Sequence, residues 1–95
     1  MTTYNNVSQE ASDWVSVNSV SSVTVGDAFT LQNNHTGVVY VSESGSKPDI
    51  NAGNFLRLYP PSFAGLSIIN VSADSGEIWV RPETLGKKLE LSVQG

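Results

Sequence analysis

The chain has 95 residues, a formal net charge of −4 from five basic and nine acidic side chains, and no cysteine. That length makes one domain, the missing thiols exclude a disulfide framework and a thiolate metal site, and an acidic chain without a basic stripe argues against nucleic-acid binding. The charge is also uneven: the first 46 residues carry Glu10, Asp13, Asp27 and Glu43 with no lysine or arginine, and all five basic residues follow from Lys47 onward.

Residues 1–12 are polar, with only Tyr4 and Val7 as sizeable anchors, and read as an N-terminal arm that orders on assembly. The domain proper then spans residues 13–95. Trp14 to Asn18 reads as a first strand, Ser19 to Ser22 as a bend, and Val23 to Val25 as a short strand stopped by Gly26-Asp27. Ala28 to Gln32 and Val38 to Ser42 each alternate apolar and polar residues around "NNHTG", which predicts a hairpin. Ser42 to Gly53 has turn chemistry throughout and reads as a connection between two sheets, long enough to make a surface contact as well.

Phe55 to Tyr59 supplies a further strand, ended by Pro60-Pro61. Leu66 to Val71 and Glu77 to Arg81 predict a second hairpin around Ser72 to Gly76. Lys88 to Val93 alternates most regularly of all. "TGVVYV" lines up with "SGEIWV" at an offset of 39 residues, either as an internal repeat or because two hairpins obey the same rules. The pattern predicts an all-β fold: a small antiparallel β-sandwich, jelly-roll-like, of about eight short strands, with a small barrel as the alternative.

Chemistry-bearing constellations are sparse. His35 is the only histidine and falls in a predicted turn, so no catalytic residues are expected. Asp74, Ser75 and Glu77 offer oxygens for a cation but lack a calcium-loop pattern, and neither a metal nor a cofactor is expected. No apolar run approaches membrane-spanning length, so no membrane partner is expected, and the start of the chain lacks the features of an export signal. Trp14, Tyr40, Tyr59 and Trp79 are the aromatics able to face a partner subunit or, as an exposed row, a glycan. With Tyr4 and Val7 of the arm they form the expected partner-binding set.

The segments "VGDAFTLQNNHTGVVYVSESGSKPD" and "SGEIWVRPETLGKKLELSV" resemble short virion proteins of tailed bacteriophages. The matching positions are Val25, Gly26, Phe29, Leu31, Gln32 and Asn33, then Val39, Val41, Ser42, Glu43 and Pro48, then Ile78, Trp79, Val80 and Arg81. The resemblance implies a structural role in the virion, to which it is delivered from the host cytoplasm, and implies no catalytic residues. A capsid decoration or cement protein is the first expectation. It would bind the major capsid protein or another virion protein in many copies, as a homo-oligomer with a trimer as the working unit. A tail or fibre-associated adaptor and a carbohydrate-binding β-sandwich module are the alternatives.

Overall fold

In the computed structural model, which describes residues 4–51, 53, 55–61 and 67–95, the chain is all-β apart from one short helix. The elements are β1 Val7–Glu10, β2 Val15–Ser16, α1 Val17–Ser21, β3 Phe29–Asn33, β4 Val39–Glu43, β5 Leu56–Leu58, β6 Ile68–Val71, β7 Ile78–Pro82 and β8 Lys88–Gln94. Two four-stranded antiparallel sheets result, in the orders β1-β8-β3-β6 and β2-β7-β4-β5, in a sandwich-like arrangement. Pairing runs from the outside of the chain inward: β1 with β8, β2 with β7, β3 with β6, β4 with β5. The contacts β3–β8 and β4–β7 complete the sheets.

Alternation decides which side chains meet between the sheets. Phe29 and Leu31, Val39 and Val41, Ile78 and Val80, and Leu89, Leu91 and Val93 are all buried in one cluster, to which β5 adds Leu58. The expected alternating strands are thus present. Their pairing differs from expectation, because neither predicted hairpin forms: β3 and β4 belong to different sheets, as do β6 and β7. Alternation fixes which face is inward, and in a sandwich that face is the same for both sheets. Conversely, Ser42 to Gly53 does not cross between sheets. It joins β4 to β5, neighbours in the second sheet, with Val39 opposite Leu58.

The arm expectation is corrected over residues 7–11. Val7 is 0 % exposed, and β1 pairs with β8 from Val7–Leu91 to Glu10–Lys88, extended by Ala11 N–H donating to the Lys87 carbonyl. The strand escaped the sequence pattern because it is an edge strand with one buried residue followed by three exposed ones. Residues 1–3 lie outside the described ones.

Trp14 to Asn18 is likewise not one strand. Ser16 caps α1, its Oγ accepting from Ser19 N–H at 3.1 Å, and the helix turns Val17 and Ser21 inward before ending at left-handed Ser22. Val23 to Val25 forms no strand either: Asp27 N–H donates to the Thr24 carbonyl at 3.0 Å and closes a turn around Val25-Gly26. Asn18 joins these pieces, its Nδ2 donating to the Val23 carbonyl and its Oδ1 accepting from Ile78 N–H.

The aligned hexapeptides lie on β4 and β7, adjacent central strands in which Val41 sits opposite Val80, the same offset of 39 (80 − 41). At that offset buried Phe29 and Leu31 would correspond to exposed Ile68 and Asn70, so the relation stops at β4 and β7. Two neighbouring strands with the same inward-outward demand account for it.

Candidate functional site

On the outer face of the second sheet, the register sets Arg57 of β5, Tyr40 of β4 and Arg81 of β7 in one row across three strands. Trp14, immediately before β2, extends the row. The Arg81 guanidinium carbon lies 4.6 Å from the Tyr40 ring centre and 5.5 Å from that of Trp14. The Arg57 guanidinium carbon lies 5.5 Å from Tyr40 and 5.3 Å from Phe55, and Phe55 stacks on Tyr40 with centroids 3.9 Å apart. Arginine and aromatic faces therefore alternate, each cation held against ring quadrupoles. Tyr40 Oη donates to Glu83 Oε2 at 3.0 Å, and Arg81 Nη1 donates to the Pro82 carbonyl at 3.0 Å.

The loop after β4 folds back onto this face. Trp79 Nε1 donates to the Ser44 carbonyl and Trp14 Nε1 to the Asp49 carbonyl, each at 3.0 Å. Lys47 Nζ adds an ion pair with Asp13 at 2.8 Å. The Lys47 hydrogen bond, with Trp14 N–H donating to the same carboxylate, holds the Asp13 carboxyl below its ordinary value. Asn51 N–H donates to Asp49 Oδ1, an Asx turn that shapes the tip of the loop. The loop is thus fastened to both tryptophans and to Asp13.

Burial redistributes the six expected partner-binding residues. Trp14 and Tyr40 are only 4 % and 8 % exposed, so they do not form the flat exposed row that a sugar platform needs. Trp79 and Tyr59 are half-buried, and Tyr4 packs against the core from a half-buried position. Val7 is a core residue. The structure brings Trp14 and Tyr40 together through Arg81 and ties Trp79 into the same loop; Tyr4 and Val7 belong to the other sheet's side of the molecule.

Comparison with family models, characterised proteins and solved structures finds no match.

Arg57 carries no signal of its own in the sequence and Arg81 enters there only as a position of the resemblance, although Arg81 stands two positions after Trp79 and therefore shares its face of β7. The same parity places Arg57 beside Tyr40 once β4 and β5 are known to pair. Arginine, tyrosine and tryptophan are the residue types that dominate protein interfaces, and the exposed Arg57 is the part of the row open to a partner. Among the described residues no group of three or more His, Cys, Asp or Glu is placed to hold a metal ion. Near Asp74 and Ser75, the Glu77 carboxylate already accepts from Ser16 Oγ. Nor is any helix long and apolar enough to cross a membrane among those residues.

Proposed function

We propose that this chain is a non-enzymatic structural protein of a tailed-bacteriophage virion, a decoration or cement protein that binds the capsid surface in many copies as a homo-oligomer. The observation that carries the reading is the strand pairing, in which each of β1 to β4 meets its counterpart counted back from β8. We read that order as a jelly roll, an architecture used by viral capsid and lectin domains. That fold analogy joins the sequence resemblance above. The arginine–aromatic row adds the chemistry of a partner surface.

Between the capsid and glycan alternatives, burial of Trp14 and Tyr40 favours the capsid reading, because a sugar needs ring faces that Arg81 and Phe55 already occupy. Imaging intact particles that contain a tagged copy of the chain tests the proposal. Density on the head surface following the shell's symmetry is the expected result. A tag confined to the tail moves the chain to the adaptor role, and particles without the tag overturn the virion reading.

A further inference from the structure

Two exposed turns share one construction and lie at opposite ends of the molecule. Thr24-Val25-Gly26-Asp27 is closed by Asp27 N–H donating to the Thr24 carbonyl at 3.0 Å, with Gly26 at φ 101°. Thr84-Leu85-Gly86-Lys87 is closed by Lys87 N–H donating to the Thr84 carbonyl at 3.3 Å, with Gly86 at φ 87°. A positive φ confined to the third position is what a type II turn uses, and glycine supplies it without strain. Each turn pushes the large apolar side chain at its second position into solvent: Val25 is 51 % exposed and Leu85 45 %. The fourth position carries an acid in one turn and a base in the other.

Topology separates them. The first turn precedes β3 and the second precedes β8, and these strands are antiparallel neighbours, Thr30 opposite Gln94 and Asn33 opposite Leu91. Their starts therefore face opposite ends of a molecule whose longest dimension is 30 Å. Both turns are anchored on the domain. Asp74 N–H donates to the Gly26 carbonyl at 2.8 Å, which sets exposed Asp74 beside exposed Asp27. Gly86 N–H donates to the Ala11 carbonyl at 2.8 Å.

The basic end also has a receptacle. A cavity of about 280 Å³ opens between the β3–β4 and β7–β8 connections, lined by His35, Val38, Val39, Pro82, Thr84 and Lys87 among others. Lys88 stands on its rim and pairs with Glu90 at 2.7 Å, whereas Lys87 makes no ion pair among the described residues. Glu83 on the wall is engaged by the Tyr40 hydroxyl. At the acidic end, Asp27 and Asp74 likewise make no ion pair among the described residues.

We propose that the chain associates with further copies of itself head to tail, the Thr24–Asp27 turn of one copy seating Val25 in this cavity beside Leu85 of the next. Asp27 and Asp74 then face Lys87 and the imidazole of His35. Such a contact joins two different patches, so it is heterologous and generates a ring where the rotation closes. Opposed charges set the polarity of docking, and the apolar pair supplies the area removed from water. The inference deepens the proposed many-copy role and rests on it only for its biological purpose; its test uses the purified chain without particles.

Sedimentation velocity of the full chain across protein concentration, at low and at raised salt, measures the association. Assembly at low salt that weakens as salt rises is expected. The single reversals Asp27→Lys and Lys87→Glu each lower the association constant roughly tenfold or more, while the double variant D27K/K87E recovers it. Thermal unfolding of each variant confirms that these exposed positions leave the fold intact. A chain that stays monomeric at every concentration, or one whose assembly ignores both reversals, overturns the head-to-tail contact and leaves the capsid reading to be decided on particles. Failure of the wild-type chain to enter particles while it still assembles in solution does the opposite.

Discussion

Trp14 Nε1 lies 3.0 Å from the carbonyl oxygen of Asp49, a hydrogen bond spanning 35 positions of sequence that pins the β4–β5 loop to the indole edge. Its counterpart from Trp79 to Ser44 holds the start of the same loop. Trp14→Phe and Trp79→Phe keep most of the apolar contact and remove the donor. Each is expected to cost about 1 kcal/mol, and the double variant to release the loop. Hydrogen exchange of residues 44–51 measures the release, with faster exchange there and unchanged protection in β4 and β7.

The Asp13–Lys47 pair fastens the same loop from outside. Because the Asp13 pKa is depressed in the folded chain, its stabilisation is present above the unfolded value and is lost as pH falls through the folded one. Both partners are substantially exposed, so the contribution is under about 1 kcal/mol. Acid titration followed by tryptophan fluorescence should show a loosening below the ordinary carboxyl value of 3.8 that Asp13→Asn removes.

Deleting residues 1–11 removes β1 from the domain's own sheet and with it the buried Val7 and Ala11. The truncated chain is expected to lose cooperative unfolding or to melt far lower than the intact one. Val7→Ala isolates the core term: a loss of about 2 kcal/mol, or roughly 8–16 °C in Tm for a domain this small. An unchanged Tm in both variants would return residues 7–11 to the status of an arm.

Asn33 is 0 % exposed and saturates its amide inside the fold. Nδ2 donates to the Gly37 carbonyl at 2.8 Å and the Leu58 carbonyl at 3.0 Å, and Oδ1 accepts from His35 N–H at 3.0 Å. It therefore fixes the β3–β4 crossing against β5. Asn33→Asp loses both donations and buries a charge, and is expected to cost about 3 kcal/mol or more by chemical denaturation. Asn34→Asp, on the exposed neighbour, serves as the control.

The strands legible in the sequence are those with a buried residue at every second position, such as Leu89, Leu91 and Val93. Val7 stands alone in its strand, so β1 carried no period to read. The five residues of α1 are too few to show a helical one, and their cap, Ser16, is one serine among many. Partnership was less legible still, because Val39 and Leu31 present the same inward pattern from different sheets. At the candidate site the aromatics stood out by type, while Arg57 and Arg81 acquire meaning only from the β4–β5 and β4–β7 registers. Burial of Trp14 and Tyr40 likewise depends on Arg81 and Phe55, neighbours that no local pattern gives.

Quantitative mass spectrometry of purified particles, with labelled peptides of this chain and of the major shell protein as standards, tests the structural-protein account most directly. The account expects a copy number comparable to that of the shell protein, as a decoration protein binding each shell unit requires. A handful of copies per particle would contradict decoration in favour of the tail, and absence from particles that are otherwise complete would contradict the account altogether.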